Sequence, residues 1–147
     1  MSKKPIIVFE GIEGSGKSHH IKKIKSFLKK NKIDFIYLRE PGGNLNSEKI
    51  RKLILSKKTK FQPKTDLLLY IAARSENIST LKKNYKKKII LIDRFIDSTI
   101  AYQHYGMGIN LKIINQMNNF LLSNIKPNFT FLNIVNSRNM IERLKKR

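Results

Sequence analysis

The chain contains no cysteine, which excludes a disulfide-stapled scaffold and any thiolate metal site. Long apolar runs are missing too. Runs such as those at residues 5–9 and 89–92 fall far short of the about 20 residues that a membrane-spanning helix needs. Met1-Ser2-Lys3-Lys4 leads straight into a strand-like stretch without the apolar core of a secretory leader, so a cytoplasmic location is expected. Acidic residues are scarce: ten, against 31 Lys and Arg, leave a formal net charge of +21. That balance points first to a polyanion, nucleic acid above all. Two observations weaken the inference. Of the basic residues 24 are Lys, and Ile (22) and Asn (14) are also abundant, as the codons of a genome poor in G and C would produce. The lysines are scattered over helix faces and turns with few aromatics among them to stack on bases. No nucleic-acid partner is therefore expected, and the charge reads as a solvated face.

What is present suits one packed domain over residues 1–147, with 40% hydrophobic and 28% charged residues. Residues 5–10 (PIIVFE) form a continuous apolar run, as in a central parallel strand covered on both faces. A helix follows residues 11–18, with Ile21, Ile24, Phe27 and Leu28 on its apolar face. Further strands are expected at 33–38, at 88–92, which runs into Asp93, and at 129–135. Helices are expected at 47–55 (Ile50, Leu53 and Ile54 inward), from a cap at Thr65-Asp66 to about Leu81, and at 98–105, 111–123 and 140–146. This alternation predicts an α/β fold, a parallel sheet with helices on both faces and ligands beyond the C-terminal strand ends.

Gly11-Ile12-Glu13-Gly14-Ser15-Gly16-Lys17-Ser18 satisfies G-x-x-x-x-G-K-[ST] in full. Its glycines let the backbone close round a phosphate, and the helix that follows adds its positive end. Lys17 would bridge the β- and γ-phosphates of ATP, and the Ser18 hydroxyl would help hold Mg²⁺. Asp93 stands where a second Mg²⁺-ordering carboxylate belongs, although the same residue would serve as a helix cap. Arg94 could reach a second phosphate in the same crevice. Tyr70 and Arg74, four apart, share a helix face. They would suit a base as aromatic plate and donor fork, but spacing alone fits a core tyrosine beside a rim arginine as well. Glu13, awkward within a phosphate loop, makes sense as an acceptor for a sugar hydroxyl.

These segments, taken with others, resemble bacterial thymidylate kinase, a P-loop nucleoside monophosphate kinase. They are FEGIEGSGKS (9–18), REPGG (39–43), EKIRKLIL (48–55), YIAAR (70–74), DRFIDSTIAYQ (93–103), GMGI (106–109) and PNFTF (127–131), in family order and with family-like spacing. The resemblance implies transfer of phosphate from ATP to dTMP in dTTP synthesis, with catalytic roles for Lys17, Asp93 and Arg94. It implies that Tyr70 stacks on thymine, that Arg74 bonds its carbonyl, and that Thr99 and Gln103 face the base edge. Arg51 would lie alongside the nucleotide, Glu13 would take the 3′-hydroxyl and Tyr102 would crowd the 2′ position. Arg39, Glu40 and Pro41 would shape the loop beside the phosphate held by Arg94, the proline bond being cis in several relatives. A homodimer through helices flanking the sheet, at 98–105 and 111–123, is implied as well.

The sequence departs from the family pattern in three ways. His19 and His20 stand where relatives carry Thr and Gln, and are expected on the first helix rather than at the phosphate. Leu132-Asn133-Ile134 stands where the family has Leu-Asp. Beyond Arg147 the family continues into a mobile lid and a last strand. One branch of the family places a catalytic Arg in the phosphate loop, where this chain has Gly14, so a cation from the lid is expected, its beginning among Arg143, Lys145, Lys146 and Arg147. A catalytically weak or inactive nucleotide-binding remnant of the kinase is the alternative expectation.

Overall fold

The computed structural model describes residues 4–146. Its strands are β1 (Ile6–Glu10), β2 (Phe35–Arg39), β3 (Ile89–Asp93) and β4 (Phe129–Leu132), hydrogen-bonded in the order β2-β3-β1-β4. Every pairing is parallel; Val8 stands opposite Ile92 on one side and Thr130 on the other. Parallel neighbours need crossover connections. These are α1 (Lys17–Lys30), then α2 (Leu45–Ile54) with α3 (Pro63–Asn84), then α4 (Ile96–Thr99), a π-wound segment (Ile100–Tyr105) and α5 (Leu111–Leu122). A last helix, α6 (Ser137–Lys145), follows β4.

Alternation along the strands divides the core between two faces. Ile6, Val8, Leu38, Ile90 and Ile92 meet Leu81 of α3 and Leu122 of α5. Phe9 and Leu91 point the other way and meet Ile21 and Leu28 of α1. Ile6, Val8 and Ile90 to Ile92 are wholly buried, each worth about 1.5–3 kcal/mol, so β1 and β3 carry most of the sheet's stability. β4 is exposed throughout, though Phe131 stacks its ring 5.8 Å from that of Phe9. The layered α/β architecture is the one expected from the sequence.

Several details differ from expectation. Phe27 is 61% exposed: it lies one residue, about 100°, round the helix from Leu28, which faces the sheet. Leu53 of α2 is exposed too. Helix α3 begins at Pro63 rather than at a Thr65-Asp66 cap, because proline lacks the N–H that the first turn leaves unpaired. The fourth strand stops at Leu132 instead of 135, since the Asn136 side chain accepts from the Asn139 N–H and already turns the chain into α6. Residues 98–105 are helical, with i→i+5 winding in their second part. Such π segments are rare.

β1, β2 and β3 end side by side, Asp93 being in register with both Phe9 and Arg39. The loops after those three strands therefore converge on one edge of the sheet.

Candidate active site

The first loop turns directly from β1 into α1. Gly11, at φ +137°, could not be replaced: a Cβ there would lie 2.5 Å from the carbonyl oxygen of Asn133. Gly16, at φ +94°, caps α1 and directs the helix's unpaired N–H groups and positive end toward the loop. Lys17 folds back across it, Nζ donating to the carbonyls of Gly11 (2.7 Å) and Ile12 (3.0 Å). An ammonium has three N–H groups, so one stays available for a phosphate oxygen. Burial pushes the Lys17 pKa down and Arg94 pushes the same way, while Asp93, Glu10 and Glu13 oppose them.

One cavity of about 1200 Å³ opens over this loop and extends between α2, α3 and α4. Glu13 to Ser18 line one end, together with His19 and His20. The two histidines belong to α1, as expected, but stand at the cavity and not away from it. Helix α6 leans over the loop, where Arg143 Nη1 donates to the Gly14 carbonyl at 3.0 Å. Lys146 pairs with Glu142 at 2.5 Å instead, and Arg147 lies outside the described residues. Asp93 also lines the cavity, and its Oδ1 is buried with no hydrogen-bond partner. An orphaned buried carboxylate oxygen in the same cavity as Ser18 suits Mg²⁺ or its hydration water. Among the described residues no cluster of three or more His, Asp or Glu could hold a metal ion.

The opposite end of the cavity is built from side chains of several elements. Arg39, Glu40, Pro41, Arg51, Tyr70, Arg74, Arg94, Thr99 and Tyr102 all line it. The Glu40–Pro41 bond is cis. The loop it belongs to is braced from behind: Arg39 pairs with Glu48 at 2.6 Å and Arg51 donates to the Pro41 carbonyl at 2.7 Å. Behind these, Ser47 and Asn77 bond Gly42.

Arg74 is no rim residue: its side chain is 2% exposed. Its Nε donates to Glu40 at 2.6 Å, Nη2 to the Thr99 hydroxyl at 3.0 Å and Nη1 to Asn118 Oδ1. A guanidinium has five N–H groups, so two are left for a ligand. Burial pushes the Glu40 carboxyl up, against the pull of the Arg74 charge. Tyr70 is half-buried beside it, its phenol raised by burial and then by Asp66.

Gln103, expected at a base edge, is packed against α3. It is 1% exposed, donates to Asp66 Oδ2 at 2.8 Å and takes no part in the cavity lining. Its Oε1 is buried without a hydrogen-bond partner. Sequence reasoning missed Glu10, Ser47, Asn77, Ser98 and Asn118, the polar residues that hold this half together. Their signal, polar residues destined for burial, emerges only with the fold.

A glycine-rich loop between a buried parallel strand and a helix, with an acidic residue ending the neighbouring strand of the sheet, defines a P-loop nucleotide-binding protein. The family model for thymidylate kinase matches residues 9–147, and the chain belongs to that family. A thymidylate kinase of Mycoplasma mobile is 41% identical over 147 residues, covering 96% of this chain and 70% of its own. One from Kosmotoga olearia is 38% identical over 126 residues, covering 84% and 61%. The crystal structure of thymidylate kinase from Ehrlichia chaffeensis has a TM-score of 0.82 at 36% identity, over 99% of this chain and 80% of that one. The chain spans between 61% and 71% of the length of these and other curated relatives. Among the described residues no helix is long and apolar enough to cross a membrane.

Proposed function

We propose that the chain transfers the γ-phosphoryl group of ATP to dTMP, yielding ADP and dTDP. The observation that supports this reading is the shared cavity, lined both by the phosphate loop and by Tyr70, Arg74 and Arg94. The acceptor phosphate is already an oxyanion at neutral pH. As its oxygen bonds to the γ-phosphorus, the bond to the departing ADP oxygen breaks, and no base is needed to remove a proton. Catalysis then rests on in-line placement and on neutralising charge.

Lys17 supplies one cation on the donor side, and Arg94 supplies one on the acceptor phosphate. Ser18 and Asp93 would hold Mg²⁺, which when bound supplies further charge neutralisation on the phosphates. Tyr70 stacks on the pyrimidine and the two uncommitted N–H groups of Arg74 face its carbonyl. Thr99 lies beside that edge, Arg51 alongside the nucleotide, Glu13 at the 3′-hydroxyl and Tyr102 at the 2′ position. We place the enzyme in the cytoplasm as a homodimer. Exposed Tyr105 and Phe120, on the π segment and α5, suit such an interface.

The test is titration with dTMP, dUMP, dCMP and dGMP in the presence of Mg-ATP, reading ADP release. Preference for dTMP with turnover well above background is expected and would eliminate an inactive remnant. Preference for the purine monophosphate, or indifference to all four, would overturn the reading.

A further inference from the structure

One buried acid takes no part in the chemistry above. Glu10, the last residue of β1, is 4% exposed. Its Oε1 accepts the backbone N–H groups of Phe95 (2.7 Å) and Ser98 (3.3 Å), and its Oε2 accepts the Ser98 hydroxyl at 2.5 Å. The Ser98 oxygen in turn accepts from Arg94 Nη1 at 3.2 Å. Arg94 has a left-handed backbone, φ +65°, and lays its guanidinium 5.6 Å from the centre of the Tyr102 ring.

We infer that Ser98 and Glu10 are positioning residues that fix the Arg94 guanidinium for the acceptor phosphate, an inference that rests on the proposed function. A hydroxyl has a single hydrogen, and with it committed to Glu10 the Ser98 oxygen can only accept toward Arg94. The arrangement also conserves charge where it is needed. Arg39 and Arg74 each pair directly with a carboxylate, whereas Arg94 is linked to one through a neutral hydroxyl. Its orientation is fixed while its charge stays available to a phosphate dianion. The left-handed backbone is held from the same side: the Arg94 N–H donates to the Phe9 carbonyl at 3.0 Å, one residue before Glu10.

Calorimetric binding of dTMP and of thymidine, which lacks the phosphate, tests this in the wild type, Ser98→Ala, Ser98→Thr and Glu10→Gln. Ser98→Ala should weaken dTMP about 10-fold, the effect of losing a hydrogen bond to a charged group. It should leave thymidine within twofold, and kcat should fall while KM for ATP holds. Ser98→Thr should restore dTMP affinity. Glu10→Gln, which keeps the shape but removes the hydroxyl's acceptor, should lower it by a smaller factor. If Ser98→Ala does not fold, Ser98→Cys, a weak acceptor, carries the same expectation. Equal loss for dTMP and thymidine would show mere loosening and overturn the inference. So would an undiminished preference for the phosphorylated ligand. A wild type that binds thymidine as tightly as dTMP would instead overturn this inference and the proposed acceptor site together.

Discussion

The two ends of the cavity are made by different means. At the donor end, eight successive residues and the start of one helix supply nearly everything. Most of the donors there are backbone N–H groups, whose positions follow from glycine conformations and the helix end. At the acceptor end the groups are side chains, drawn from the loop after β2 and from α2, α3, α4 and α5. The best anchored are held by other side chains, Arg74 by Glu40, Thr99 and Asn118, and Arg39 by Glu48. A backbone cradle tolerates change outside its few glycines and its lysine. A side-chain lattice couples recognition to stability, because its members are buried and charged. Substitutions at the donor end should therefore cost rate, and those at the acceptor end should cost both stability and selectivity.

Lys17→Ala offers the largest effect. Removing one preorganised donor from a site of developing charge lowers kcat by about 10²–10³. Burial and the neighbouring Arg94 already disfavour the Lys17 charge in the folded chain, so its removal should leave Tm nearly unchanged. Steady-state kinetics with a thermal melt separate the two quantities. A large fall in Tm would break the contrast between the two ends.

Arg74→Ala should do the reverse. It strands the buried Glu40 carboxylate, and breaking such a pair from one side costs about 3–5 kcal/mol. Urea unfolding would read that loss. The paired variant Arg74→Met with Glu40→Leu sharpens the point, since replacing both charges with apolar groups is often neutral for stability. It should regain most of the lost stability and still fail to select dTMP.

The same contrast governs what the sequence discloses. A cradle built from contiguous backbone is legible as a motif, and Asp93 and Arg94 are legible because a strand end announces them. Tyr70 and Arg74 could be paired from their spacing, but the depth of Arg74 could not. That depth is set by Asn118, 44 residues away in the chain, which sits in an ordinary run of amide residues on α5. Glu10 reads as the end of an apolar strand, and its hydrogen-bond partners lie 85 and 88 residues further on. The bond from Gln103 to Asp66, 37 residues away in the chain, was hidden for the same reason. Fold class needs only local patterns and the rules of parallel sheets. The lattice needs the fold first.

Tyr70→Ala isolates recognition from stability within the acceptor end. Base–aromatic stacking is worth about 1–3 kcal/mol per base, so KM for dTMP should rise by roughly 5- to 150-fold. Tyr70→Phe, which keeps the ring, should stay near wild type, and KM for ATP should move in neither variant. A matching rise in KM for ATP would mean that the two ends are not separable.

The smallest effect concerns the brace behind the loop at residues 39–43. The Arg39 side chain and the Gly43 N–H hold the Glu48 carboxyl below its ordinary value of 4.5. A carboxyl whose pKa is lower folded than unfolded stabilises the fold above the unfolded value, and that contribution disappears as pH falls through the folded one. Both side chains are substantially exposed, 40% and 35%, so the contribution stays under about 1 kcal/mol and is screened by salt. Urea melts of wild type and Glu48→Gln should thus differ slightly near neutral pH at low ionic strength and converge in strong acid. A difference that persisted in acid would assign the brace to packing and not to charge. The acceptor loop would then resemble the donor cradle in resting on shape.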